Sequence, residues 1–203
     1  MSKQVYISAD YDSYDGDQDV VEVLKKWGAD DKHKVDFIDM SEVRSGTVAN
    51  DPDCRICELK DEFNRQINSS SAVIFVVGNK SASRDAGRAC SRLSKEWYEC
   101  YCTPYKGNAL GQKLCKYPTT NTPGPNDNYG CVNTCSYLEH EFRQAVKKNK
   151  PILIVYNSTR CEKNWLPSYM TSYEDQAVPF WVKDYCGNYK GNYVPIKEFL
   201  CDD

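Results

Sequence analysis

The chain has 203 residues, of which 40% are hydrophobic and 27% charged. These values fit one domain with a full core and exclude a disordered or fibrous chain. A formal net charge of -3 provides no basic field to gather a phosphate backbone, so no nucleic-acid partner is expected. The longest apolar runs, Ala72 to Gly78 and Pro151 to Tyr156, are far shorter than the ~20 residues that span a bilayer, so no membrane partner is expected either.

Taken in chain order, Met1-Ser-Lys-Gln leads straight into a strand-like segment with no apolar signal region before it. A cytoplasmic, reducing location is therefore expected. The eleven cysteines then read as thiols or metal ligands rather than disulfides. Gln4 to Ser8 alternates and is rich in β-formers, and it breaks into the polar run Ala9 to Gly16. Val20, Val23, Leu24 and Trp27 recur at helical spacing and stop at Gly28, which predicts a first helix. Lys34 to Asp39 is extended again. A polar loop over 40–54 follows, and Ile56, Leu59, Phe63 and Ile67 mark a second helix.

Ser71 to Gly78 is a continuous apolar run, expected for a central strand covered on both faces. From Asn79 to about Thr134 the chain is rich in Cys, Tyr, Gly, Asn and Pro, and Pro123-Gly124-Pro125 forbids regular structure. This stretch, about 79–134, reads as an insertion in a single domain over 1–203. Leu138, Phe142, Ala145 and Val146 form an apolar stripe on a further helix, and the strand Pro151 to Tyr156 follows it. A last strand around Val178 to Val182 and a short helix around Pro195 to Leu200 complete the reading. Strands alternating with helices predict right-handed crossovers and an α/β fold with a mostly parallel sheet of about five strands.

Ligands of such sheets sit beyond the carboxyl ends of the strands, which directs attention to the loops after Ser8, Asp39 and Gly78. Neither Gly-x-Gly-x-x-Gly nor Gly-x-x-x-x-Gly-Lys-Ser/Thr occurs, so an ordinary dehydrogenase and a P-loop ATPase are set aside. The acidic residues Asp10, Asp12, Asp15, Asp17 and Asp19 read as a solvated loop favourable to the following helix dipole. Their spacing lacks the Gly and terminal Glu of an EF-hand. The same acidity argues against a flavodoxin-like FMN binder, whose phosphate loop would follow the first strand.

Three blocks carry a resemblance to a known family: Val5 to Asp12; Asp36 to Ser41 through Asn68 to Gly78; and Tyr137 to Val146 followed by Asn149 to Val155. In this order they resemble the TIR-like family of bacterial antiphage defence, in particular the TIR-like signalling proteins of Thoeris systems. The resemblance implies a TIR-like/flavodoxin-like three-layer fold. It also implies an NAD glycohydrolase or ADP-ribosyl cyclase activity, with NAD as substrate rather than tightly bound cofactor. A cyclic ADP-ribose-type product would act on a downstream effector, and self-association is an implied partnership. The runner-up is a non-catalytic TIR-like interaction module.

On the matching helix the resemblance implies Glu141 as the catalytic carboxylate and Tyr137 as a stacking residue. Ser8, Ala9, Asp10 and Tyr11, at and after the end of the first strand, and Asp39, at the end of the second, are expected substrate contacts from their position. Helical geometry puts Glu139 and Glu141 on opposite flanks of the apolar stripe and points His140 away from it. Ser136-x-x-Glu139 has capping-box spacing, which gives Glu139 a structural job. Without the resemblance, Glu141 would read as an exposed helical glutamate paired with a neighbouring base. Cys100, Cys102, Cys115, Cys131 and Cys135 are a candidate zinc set, though their spacing matches no standard knuckle. Cys54 and Cys57 read as packed thiols near a helix start.

Overall fold

In this computed structural model the described residues are 3–10, 17–30, 35–39, 62–83 and 136–201, with the backbone of 105–107 and 113–115. Apolar residues at strand and helix periods build the elements. The strands are β1 (Lys3–Ser8), β2 (Val35–Asp39), β3 (Ala72–Val77), β4 (Tyr105–Gly107), β5 (Lys113–Cys115), β6 (Ile152–Tyr156), β7 (Val178–Pro179), β8 (Trp181–Lys183) and β9 (Tyr189–Gly191). The helices are α1 (Gln18–Gly28), α2 (62–69), α3 (Tyr137–Lys147) and α4 (Tyr193–Cys201), with 3-10 turns at Lys163–Trp165 and Ser168–Gln176.

The main sheet has five strands in the order β2-β1-β3-β6-β7, and every pairing in it is parallel. β3 lies at its centre and is buried along its whole length, as its unbroken apolar sequence predicts for a strand covered on both faces. Alternate residues of the strands feed two cores. Tyr6, Val73, Phe75, Val77, Ile154 and Tyr156 face α2, α3 and the 3-10 turns, whereas Val5, Ile7, Ile74, Val76, Leu153 and Val155 face α1 and α4. The result is the expected three-layer α/β fold.

Helix ends follow local chemistry. Asn149, at φ 50°, ends α3 in the left-handed conformation. Its N–H donates to the Val146 carbonyl and that of Lys150 to Ala145, both at 3.0 Å, the two bonds of a Schellman ending. Gly28 ends α1 for a different reason: a Cβ there would lie 2.8 Å from the Phe37 ring and 3.0 Å from the Val35 carbonyl. Only glycine lets the helix end come so close to β2.

The single last strand expected around Val178 to Val182 is divided in two. β7 joins the main sheet, while β8 pairs antiparallel with β9. Phe180 makes the break. Its N–H still bonds the Tyr156 carbonyl at 2.9 Å, but its side chain is fully buried and the chain leaves the sheet after it. Pro179, which has no N–H to donate, sits on the edge strand where that costs least. β4 and β5 form a separate antiparallel pair within the stretch read as an insertion. The other residues of that stretch, apart from 79–83, lie outside the described residues.

Candidate active site at the end of the first strand

The strand order reverses between β1 and β3, the switch point at which open α/β sheets hold ligands. Tyr6 and Ser8 are two apart on β1 and so share the face turned toward α3. α3 brings Glu141 to this end of the sheet. The Tyr6 hydroxyl donates to Glu141 Oε1 at 2.8 Å, and the Ser8 hydroxyl donates to Oε2. The carboxylate is 2% exposed. Its partners are two neutral hydroxyls, and burial pushes its pKa up to about 7 against the opposing pull of the Ser8 and Tyr6 hydrogen bonds.

Glu139 took the other path. Its N–H donates to the Ser136 hydroxyl at 3.0 Å, so Ser136 caps α3 as expected. The Glu139 carboxylate does not serve as the second half of a capping box; it pairs with Arg143 one turn on, at 2.5 Å. An exposed basic neighbour at i+4 on the helix supplies a partner that the cap N–H must compete with.

Two readings of this helix need correction. His140 does not point away into solvent: it is buried, and its Nε2 lies 3.1 Å from Asn64 Oδ1. Val146, assigned to the buried stripe, is exposed. Both differences come from α2, which packs beside α3 and rotates the buried face toward His140 and Gln144. The Gln144 amide donates to Asn68 Oδ1 at 2.8 Å. A second helix at this angle is not legible in the period of α3 alone.

The other expected contacts are distributed unevenly. Ala9 is buried directly after β1, and Asp10 follows half-buried, its carbonyl accepting the Asp17 N–H at 2.7 Å. Tyr137 is half-buried at the start of α3 and meets Phe63 edge-on at 5.6 Å. Asp39 is not brought to Glu141. It follows Phe37 by two residues and faces the α1 layer, buried, with Lys25 Nζ 3.0 Å from Oδ1. Tyr11 and the cysteines 54, 57, 100, 102, 131 and 135 lie outside the described residues, and Cys115 is described only through its strand backbone. Among the described residues no group of His, Cys, Asp and Glu is placed to hold a metal, and no helix is long and apolar enough to cross a membrane.

Tyr6 was not singled out from sequence, although a signal was present. A buried tyrosine hydroxyl usually finds a hydrogen-bond partner, and alternation puts Tyr6 on the same strand face as Ser8. With this geometry in view, residues 6–88 match the family model described as Thoeris protein ThsB, TIR-like domain. The match holds the second half of β1, with Tyr6 and Ser8, and all of α1, β2, α2 and β3; Tyr137 and Glu141 lie beyond it. The chain has no significant match among curated proteins.

Proposed function

We propose that this chain, whose residues 6–88 match the family model described as Thoeris protein ThsB, TIR-like domain, is a defence enzyme that cleaves NAD, with Glu141 as the catalytic carboxylate. The observation that carries the proposal is the desolvated Glu141 carboxylate held by Tyr6 and Ser8 at the switch point of the sheet.

Cleavage breaks the bond between C1′ of the ribose and the nicotinamide nitrogen. The electron pair leaves with nicotinamide, which departs neutral, and positive charge builds on the sugar. A carboxylate beside the ribose steadies this oxocarbenium-like state more than the ground state, which is the condition for catalysis. A carboxylate oxygen has two acceptor positions. Ser8 and Tyr6 take one on each oxygen, leaving the second position on each for ribose hydroxyls.

Attack by water then gives ADP-ribose and a proton. Where water is excluded, an adenine nitrogen of the same molecule attacks C1′ and loses a proton, giving a cyclic ADP-ribose isomer as a signal for a downstream effector. The burial of Glu141 supports the second course, since a site this dry starves the hydrolytic one. Ser8, which holds Glu141, and Tyr137, one turn before it on α3, are the contacts we assign to the sugar; Asp10, whose carbonyl accepts the Asp17 N–H, is not assigned one. Asp39, committed to Lys25, is not assigned a contact.

Incubation of the purified chain with NAD, with and without lysate of infected cells, tests this by chromatography. Nicotinamide release with a cyclic product is expected, rising with pH through about 7 as Glu141 ionises. The same 2% exposure favours a second reading, an interaction module in which Glu141 only fastens α3 to β1. Absence of release under every condition would select that reading.

A further inference from the structure

A second cluster occupies the carboxyl edge of the sheet on the α1 side, away from Glu141. Asp17, at the start of α1, is buried, and Asn157, directly after β6, reaches it. The Asn157 amide N–H₂ group donates to Asp17 Oδ1 at 2.9 Å and to Asp19 Oδ1 at 3.0 Å, while its oxygen accepts the Trp181 indole N–H at 2.6 Å. One amide thus fixes two carboxylates and an indole relative to each other. A cavity of about 550 Å³ opens here, lined by Asp19, Asn157, Ser158, Thr159, Trp181 and Tyr189.

The lining selects among ligand classes. Among the described residues Asp19 is the only charged group of the lining, and Asp17 stands behind the same amide, so an anion such as a phosphate meets repulsion and finds no base among those lining residues. A wholly apolar molecule would leave the carboxylate, amide and hydroxyl groups without partners. Indole and phenol walls beside a carboxylate favour a cation, which gains both the ring faces and the counter-charge. The Lys183 ammonium already lies 5.2 Å from the centroid of the Tyr189 ring, so the aromatic face offered to a ligand is that of Trp181. Ser158 and Thr159 add hydroxyl acceptors, which reward a cation that has N–H groups to donate.

We propose that this cavity is a binding site for a small organic cation bearing N–H donors, a guanidinium or primary ammonium, with Asp19 as counter-charge and Trp181 as stacking wall. The site is separate from Glu141 and does not depend on NAD cleavage. Burial, and secondarily the carboxylates Asp10 and Asp19, push Asp17 up to about 6, so the pocket gains negative charge above that pH and a bound cation relieves it.

Titration calorimetry of the whole chain with agmatine at pH 7.5 tests the proposal, with tetramethylammonium and adenosine as comparison probes. Saturable agmatine binding is expected, at least about tenfold weaker for tetramethylammonium and absent for adenosine. Asp19→Asn should weaken agmatine at least about tenfold. That substitution keeps the oxygen that accepts the Val20 N–H at 2.9 Å and the Asn157 amide, so α1 keeps its start. Glu141→Gln should leave agmatine binding intact. The proposal is overturned by no saturable heat with agmatine, by unchanged binding in Asp19→Asn, or by adenosine binding in preference.

Discussion

The two ends of the sheet's carboxyl edge treat a buried carboxylate differently. At the α3 side, Glu141 is closed in by hydroxyls from a single strand and rises to about 7. At the α1 side, Asp17 is bridged through an amide to a second acid beside an open cavity and rises to about 6. A third carboxylate, Asp39, is as buried as Asp17 but has the Lys25 ammonium at 3.0 Å. Burial raises a carboxyl pKa in general, and the partner decides what the group is then free to do. An ammonium fixes the charge for structure; hydroxyls leave it poised near neutrality, the condition that favours acid–base and charge-stabilising work.

The sharpest way to break this comparison is Glu141→Gln. If Glu141 steadies the sugar cation, nicotinamide release should fall by about 10³-fold, the size seen when a preorganised charge-stabilising group is removed. A fall of less than about threefold in initial rate would assign Glu141 to structure alone.

The same variant makes a stability prediction of opposite sense. The folded pKa of about 7 exceeds the ordinary 4.5. The stability tied to Glu141 is therefore fully present below pH 4.5 and is lost as pH rises through about 7. Glutamine removes that loss, so Glu141→Gln should be roughly 3 kcal/mol more stable than the parent at pH 8 relative to its standing at pH 4.5. Urea melts at the two pH values measure it, and parallel curves would show that Glu141 is not desolvated.

At the other site the leverage comes from Gly78. A Cβ there would stand 2.3 Å from Asp17 Oδ1, and neither β3 nor the amide bridge leaves room to yield. Gly78→Ala should cost about 2 kcal/mol, read from the denaturation midpoint. Its partner variant Gly78→Ala with Asp17→Gly should recover part of that loss, because the clash is with that carboxylate.

The smallest effect sharpens the role of Tyr6. Tyr6→Phe removes one donor that favours the ionised form, so the pH midpoint of the proposed NAD cleavage should move upward, and stability at pH 8 should fall by about 1 kcal/mol. An unmoved midpoint would mean that the Tyr6 hydroxyl does not hold the charged carboxylate.

Much of the fold was written in local pattern. The unbroken apolar run at Ala72 to Val77, the helical spacing of Val20 to Trp27 and the Ser136 cap each state their structure within a few residues, because strand burial, helix period and capping are short-range physics. The parallel sheet followed from the alternation of strands with helices. Glu141 was reached through a resemblance, since a helical glutamate taken alone is indistinguishable from Glu139, which pairs with Arg143 on the surface.

Tertiary structure decided the rest. Which strand face met α3 determined that Tyr6 and Ser8, not Asp39, would hold Glu141, and the approach of α2 turned His140 inward. The meeting of Asp17, Gly78, Asn157 and Trp181 joins residues more than a hundred positions apart. No local period records such a meeting, because it depends on where separate elements pack and not on how any one of them forms.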